Sequence, residues 1–338
     1  MNLDSIVAAA LFLGVLCYAI FGGADFGSGF FDLIAGNART GARLRTLVDH
    51  SIGPVWEANH VWLIYVLVFW WTAFPTTFAA ATSTLYIPFA LALLGIVLRG
   101  ASFAFRKYAP TIGHARFFGV VFATSSVLTP FFLGAVAGAL ASGRVPAQGY
   151  GDPWSSWLNP TSIFGGVIAI GTCSFLAGTF LTADADRTGQ AELADRLRAR
   201  TIALGLVTGV IVLAALIPLR HDARTLSDGL LGRGAVLVVL SAVAGLATLV
   251  LLARRRPARA RYTAVGAVGS VVLGWGVAQY PWLLVDQLKI ADAAGARPTL
   301  VGLLIVVGLA AVLVLPALAY LFVLTQRELS AGERPSVE

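Results

Sequence analysis

Charged residues are scarce in this 338-residue chain: they make up 12% of the sequence, whereas hydrophobic residues make up 58%. Soluble domains contain about 25% charged residues, so the composition excludes a soluble globular domain. The apolar runs are continuous and do not alternate with polar residues, which excludes the strand pattern of a membrane β-barrel. The sequence therefore predicts an all-α, polytopic membrane protein.

Side chains that bind redox metals are also few, at two cysteines, one methionine and four histidines. Cys17 and Cys173 both lie in apolar runs, where buried thiols behave as small hydrophobic groups and a disulfide framework is not expected. Haem iron is held by His, Met or Cys, and His60 is the only histidine near the interior of an apolar run. Glu57 and His60 form one Glu-x-x-His motif, whereas a di-iron site needs that motif on two helices. We therefore expect this chain to bind no metal and no redox cofactor by itself.

Nine apolar runs are each close to the roughly 20 residues that a helix needs to cross about 30 Å of hydrocarbon. The first run follows an opening without basic residues and leads into Gly22-Gly23-Ala24-Asp25, so we expect a retained helix and not a cleaved signal peptide. The predicted helices cover residues 6–23, 53–74, 84–103, 117–141, 162–182, 201–219, 234–253, 262–282 and 300–324.

The distribution of arginine and lysine predicts the orientation of the chain. With the N-terminus outside, the inner segments carry 17 of these residues and the outer loops carry 6, as the positive-inside rule requires. This predicts an outer N-terminus and an inner C-terminus, and it accounts for the net charge of +7 without nucleic-acid binding. We expect two four-helix bundles, residues 1–142 and 143–282, followed by a peripheral ninth helix and a short tail, residues 283–338.

Ionisable groups at or inside the apolar runs all come before residue 100, which predicts a functional surface in the first bundle and a scaffold in the second. Asp25 lies in a GxxxG spacing and is either an interfacial acid beside a packing motif or a proton-handling group. Glu57 either complements a helix dipole or is a buried, protonated or paired acid. Arg99 either reaches the interface or pairs with Asp25 or Glu57. Trp62 is either part of an aromatic girdle or borders a cavity.

Three segments of the chain resemble subunit II of the cytochrome bd-type quinol oxidases. The most specific is Ile52-Gly53-Pro54-Val55-Trp56-Glu57-Ala58-Asn59-His60-Val61-Trp62-Leu63 at the start of the second helix. The others are Gly23-Ala24-Asp25-Phe26-Gly27-Ser28-Gly29 on the first helix and Leu98-Arg99-Gly100, with Phe103, on the third. Length, helix number and orientation agree over the whole chain.

The resemblance implies a non-haem subunit of a respiratory oxidase in the bacterial cytoplasmic membrane, which takes electrons from a membrane quinol and reduces oxygen to water. It places two haems b and one haem d in a partner, subunit I, which forms a pseudosymmetric heterodimer with this chain, and it leaves room for small single-helix accessory subunits. It implies a proton route for Asp25 and Glu57, with Arg99 as carboxylate partner, and an oxygen path beside Trp62. Glu57 stands where better-known members carry Asp.

Two other function classes remain open at this stage. A proton-coupled secondary transporter also combines many helices with intramembrane charges, but transporters often have broken helices in matching halves around a midplane site. The ionisable residues here are off-centre and have no counterpart in the second half. A scaffold or assembly protein without active residues is the third possibility.

Overall fold

The computed structural model describes residues 2–37, 41–52, 56–108 and 111–331 of the chain. Helices dominate the described part, as the apolar runs predict, and one short hairpin lies between two of the last helices. The helices are α1 (Leu3–Cys17), α2 (Gly23–Leu33), α3 (Ala42–Ile52), α4 (Trp56–Ala73), α5 (Pro75–Thr84), α6 (Tyr86–Lys107), α7 (Ile112–Ala141), α8 (Pro160–Arg187), α9 (Ala191–Asp222), α10 (Arg224–Leu231), α11 (Ala235–Ala253), α12 (Pro257–Gln279), α13 (Ile290–Ala293) and α14 (Arg297–Ala331).

Seven helices of the described part are long and apolar enough to cross a membrane, or eight if one bent pair counts as a single span. This confirms a multi-pass helical membrane protein, while the predicted number of nine spans stays a prediction. The 23-residue α12 is long enough to cross but is not among these spans, and its glycines and polar residues dilute its apolar character.

The bent pair lies where the sequence analysis expected the second helix to end. Residues Asn59–Ala73 of α4 and Pro75–Thr84 of α5 meet at an angle of 117°. Pro75 occupies the first turn of α5, where its missing N–H is tolerated. The Thr-rich α5 was not predicted as a helix, because it is short and its hydroxyl groups lower its apolarity.

The first span is one helix from Leu3 to Leu33, and it ends ten residues later than predicted. Its first part α1 and its last part α2 are joined by a π-helical turn, Tyr18–Gly22. Asp25 therefore lies inside the span, eight residues before its end, and not at its edge. Because each residue of a helix rises about 1.5 Å, this puts Asp25 about 12 Å from the last residue of α2.

The centre of the fold is α2, which packs between α7 and α8. Further contacts pair α6 with α7, α8 with α9 and α11 with α12, while α14 packs against α1 and α4. The GxxxG spacing serves this packing as expected, since a β-carbon at Gly27 would overlap the carbonyl oxygen of Cys173 on α8. The hairpin pairs β1 (Trp282–Leu284) with β2 (Leu288–Lys289) in antiparallel fashion.

Candidate functional site

Asp25 and Arg99 form a buried ion pair between the first and third spans. Arg99 Nη2 lies 2.5 Å from Asp25 Oδ1, and both side chains are 2% exposed. The same nitrogen donates to the Asp25 backbone carbonyl at 3.2 Å, and Arg99 Nε donates to Ser126 Oγ of α7 at 2.9 Å. Of the two carboxylates that the sequence offered to Arg99, Asp25 therefore contacts it. The Glu57 side chain lies outside the described residues.

Two aromatic rings enclose the Arg99 guanidinium group. Its central carbon lies 5.0 Å from the ring centroid of Phe26 on α2 and 5.0 Å from that of Phe122 on α7. A cation over an aromatic face gains about 0.5–2 kcal/mol, and more when water is excluded. The rings keep water from the pair on two sides, so Arg99 has no need to reach the membrane interface.

A second group of ion pairs lies seven residues further along α2 and α6. Asp32 on α2 is 3% exposed and receives Arg106 Nη1 at 2.7 Å and Arg45 Nε at 2.6 Å. Arg106 also binds both oxygens of Asp49, at 2.7 and 2.8 Å. Phe122 lies under Arg106 as well, 5.6 Å from its central carbon.

The two groups repeat at seven-residue spacing on both helices. Asp25 and Asp32 are seven residues apart on α2, and Arg99 and Arg106 are seven apart on α6. Residues seven apart share one face of an α-helix, so the same face of α2 meets the same face of α6 twice. We call the four residues the Asp–Arg ladder. Each Asp–Arg pair is one rung of this ladder. The equal spacing of the two pairs is the sequence feature that would have predicted the second rung.

Two expectations from the sequence are wrong. The predicted third helix ended at residue 103, which left Arg106 in an inner segment, but Arg106 belongs to α6 and its side chain is only 15% exposed. Membrane-edge charges were also expected only before residue 100. Asp184 near the end of α8 instead receives Arg261 Nη2 at 2.8 Å and Ser51 Oγ at 3.1 Å. The second half therefore carries a half-buried ion pair, which contacts the first half at the end of α3.

Trp62 lies on α4 and is half-buried. Its indole stacks on Phe21 of the π-helical turn, with ring centroids 6.3 Å apart and planes inclined by 17°. Tyr65 meets it edge-on at 6.4 Å. The indole thus packs against the first span just before α2 begins, and it does not stand alone in the membrane interface.

The described residues were also tested for a haem or metal site. His50, His114 and His221 are exposed, and His60 on α4 is half-buried. No group of three or more His, Cys, Asp or Glu side chains in the described part of the chain is arranged to hold a metal ion.

The sequence profile of the family described as "Cytochrome bd terminal oxidase subunit II" matches residues 3–325. The chain belongs to this family. It is similar to "Cytochrome bd ubiquinol oxidase subunit 2" of Bacillus subtilis (strain 168), with 32% identity over 50% of this chain and 48% of that one. It is also similar to "Cytochrome bd-I ubiquinol oxidase subunit 2" of Escherichia coli (strain K12), with 28% identity over 57% of this chain and 52% of that one.

The matched segments span about half the length of these curated relatives. The fold comparison covers more of the subunit II chain. A chain in "The structure of bd oxidase from Geobacillus thermodenitrificans" aligns with 96% of this chain and 98% of its own length, at a TM-score of 0.82 and 26% identity. The resemblance stated from the signature segments is therefore confirmed at the level of the family and the fold.

Proposed function

We propose that this chain is the non-haem subunit of a quinol:oxygen oxidoreductase in the bacterial cytoplasmic membrane. It pairs with a haem-bearing subunit I in a pseudosymmetric heterodimer, and the haems of that partner supply the reduction of oxygen to water. Family membership and the similarity of the whole fold to a bd oxidase chain support this proposal. A reduced-minus-oxidised spectrum of the gently purified complex tests it. The oxidase should show the bands of haem b and haem d, whereas a transporter or a scaffold protein should show neither.

The contribution of this chain, as we propose it, is a proton route that begins on the cytoplasmic side and passes through Asp25. Reduction of oxygen to water consumes protons, so a buried reaction site needs groups that transfer protons to it from the cytoplasmic side. The observation that carries the proposal is the asymmetry of the Asp25 carboxylate. Oδ1 is held by Arg99, whereas Oδ2 is buried and has no hydrogen-bond partner among the described residues.

This asymmetry assigns separate tasks to the two oxygens. Arg99 positions the carboxylate through Oδ1 and balances its charge, which a buried carboxylate needs. Oδ2 is the atom left to take up and release a proton. Asp32 differs, because both of its oxygens are bound by arginines. We therefore assign proton exchange to the Asp25 rung and a structural role to the Asp32 rung.

Glu57 and Trp62 complete the proposal. Glu57, in the first turn of α4, is the second carboxylate of the proton route, and its replacement by Gln tests that assignment through the rate of oxygen consumption. Trp62 borders an oxygen path, with its stacking on Phe21 as the supporting contact. Replacing Trp62 with Ala is expected to change the rate of oxygen binding while leaving the pH profile of turnover unchanged.

Asp25→Asn tests the main assignment in the assembled oxidase. Asn keeps an oxygen for Arg99 but has no titratable group, so oxygen consumption per spectroscopically counted haem should fall by about 10²-fold or more, the range typical of a lost proton-transfer group. Asp32→Asn is the matched control, since it removes an equally buried carboxylate and should lower stability but not turnover per haem. Normal turnover in Asp25→Asn would overturn the proton role.

A further inference from the structure

Two buried oxygen atoms without partners belong to one cluster in the first span. The Tyr18 hydroxyl and Asp25 Oδ2 are both inaccessible, and neither has a hydrogen-bond partner among the described residues. Buried polar side-chain atoms are partnered in the large majority of cases, by protein or by ordered water. Two such atoms in one short stretch of helix therefore call for a common explanation.

Contacts through Phe26 connect the two groups. The Tyr18 ring meets the Phe26 ring edge-on at 6.4 Å, and Phe26 in turn lies under the guanidinium group that holds Asp25. One aromatic ring therefore separates the Tyr18 ring from the guanidinium group that binds Asp25. The buried polar atoms of Tyr18, Asp25 and Arg99 thus lie around Phe26, between the first and third spans.

The backbone is shaped to place Tyr18 there. Tyr18 begins the π-helical turn, and single π-turns inside α-helices occur frequently at functional sites. A β-carbon at Gly22 would come within 2.9 Å of the Tyr18 ring, so the glycine makes room for it. Tyr18 precedes Asp25 by seven residues, which places it about 10 Å further from the end of α2. It therefore lies deeper in the span than Asp25.

We propose that the Tyr18 hydroxyl and Asp25 Oδ2 bound a binding site for one water molecule, through which Asp25 exchanges its proton. The Tyr18 O–H donates to the water, and the water donates to Oδ2, so that both buried atoms are satisfied. A buried water needs at least two polar partners, and these two groups supply them. No hydrogen bond joins the two groups directly among the described residues, so the water is what would connect them.

In this arrangement Tyr18 is a positioning residue. It orients the water so that a proton can pass between the water oxygen and Asp25 Oδ2, while Arg99 keeps Oδ1 fixed. Because Tyr18 lies deeper in the membrane than Asp25, the water lies on the side of the carboxylate that faces the membrane centre. A proton that arrives at Asp25 from the cytoplasmic side would leave it through this water. The water site is inferred from two buried oxygens without a partner among the described residues and from their contacts through Phe26, whereas its part in proton delivery rests on the proposed function.

Tyr18→Phe in the assembled oxidase is the direct test, because it removes only the hydroxyl oxygen. The readout is the infrared difference spectrum between oxidised and reduced enzyme, in which a carboxyl C=O band that is lost in Asp25→Asn belongs to Asp25. We expect this band to shift in Tyr18→Phe, and turnover to fall about tenfold or more. Tyr65→Phe is the matched control: its hydroxyl already donates to the Ala10 carbonyl at 3.0 Å, so the band should stay in place.

The outcomes separate this inference from the proposed function. An Asp25 band that is present but unchanged in Tyr18→Phe would refute the water site and leave the proton role of Asp25 standing. A spectrum without any band that Asp25→Asn removes would refute the proton role itself. If Tyr18→Phe does not assemble, the unaltered complex is measured in H₂¹⁸O, where a water O–H band must shift and must be missing in Asp25→Asn. Absence of such a band would overturn the proposal.

Discussion

Gly29 of α2 and Ser126 of α7 approach each other so closely that a β-carbon added at Gly29 would overlap both Cβ and Oγ of Ser126. The serine is the residue that accepts a hydrogen bond from Arg99 Nε, and it donates to the Phe122 carbonyl at 2.6 Å. The absence of a side chain at Gly29 therefore lets Ser126 come close enough to hold Arg99, which belongs to α6. The relationship ties helix packing directly to the geometry of the Asp–Arg ladder.

Gly29→Ala should disturb both stability and turnover. The added methyl must displace Ser126, and overpacking of this kind lowers the free energy of unfolding by about 1–3 kcal/mol. Loss of the Ser126 contact should also misplace Arg99, so oxygen consumption per haem should fall. Thermal unfolding of the purified complex and oxygen uptake measure the two effects.

Gly119→Ala on α7 is the control for Gly29→Ala. Apart from the neighbouring backbone of α7 itself, no described atom lies within 4 Å of a β-carbon at Gly119, so the substitution should leave the complex as stable or stabilise it slightly through helix propensity. If Gly29→Ala behaved like Gly119→Ala, the close approach of α2 and α7 would be wrong.

Two glycines of the GxxxG spacing should differ sharply in their tolerance of alanine. A β-carbon at Gly27 would overlap the backbone carbonyl of Cys173, which cannot move without shifting α8, whereas at Gly23 it would lie 3.3 Å from the Cys173 sulfur. We expect Gly27→Ala to destabilise the complex by about 1–3 kcal/mol or more and Gly23→Ala by less than about 1 kcal/mol. Equal unfolding temperatures for the two variants would contradict this packing.

The ion pair of Asp25 and Arg99 should behave as a coupled unit in a double-mutant cycle. Arg99→Met leaves a buried carboxylate without its cation and should lower the free energy of unfolding by about 3–5 kcal/mol. Adding Asp25→Asn removes that charge, so the double variant should be more stable than Arg99→Met alone. Additive losses of stability across the four proteins would show that the two residues do not depend on each other.

The loop between α7 and α8 should loosen in acid through Asp152. Backbone N–H groups of Ser155 and Trp154 donate to Asp152 Oδ1, and these bonds to the carboxylate lower the pKa of Asp152 below its ordinary value of 3.8. A lowered pKa in the folded state means that the stabilisation is present above the unfolded pKa and is lost as the pH falls through the folded one.

Tryptophan fluorescence during acid titration is the measurement for this loop, because Trp154 reports on its own backbone bond. The wild-type complex should show a transition below pH about 4, and Asp152→Asn should lack it, because Asn offers the same oxygen at every pH. A transition of equal size in both proteins would assign the change to another group.

Much of the fold could be predicted from apolar runs, because lipid-facing helices must be apolar whatever packs against them. The errors have a common physical cause. The first helix was predicted to end ten residues early because Asp25, Ser28 and Asp32 are polar, and only the tertiary structure reveals that they are buried. In the same way, Arg106 was left outside the predicted third helix because its charge lies at the end of an apolar run.

The candidate site was partly predictable for the same reason. Asp25 and Arg99 interrupt strongly apolar stretches and so draw attention in the sequence, and the structure brings them into contact. Asp32 and Arg106 repeat the same spacing but lie among other polar residues, where a charge gives no signal by itself. The role of Phe122 could not be predicted, because one of many phenylalanines is distinguished only by the two guanidinium groups that it contacts.

The π-helical turn at Tyr18–Gly22 carries one residue more than an α-helical turn. Deleting one amino acid within it would therefore leave an ordinary α-turn and α2 in nearly the same orientation. The same deletion between Asp25 and Asp32 would instead rotate one acid by about 100° relative to the other. Such a shortened chain would retain every charged residue and almost the same length of helix, but only one of the two acids could still face its arginine.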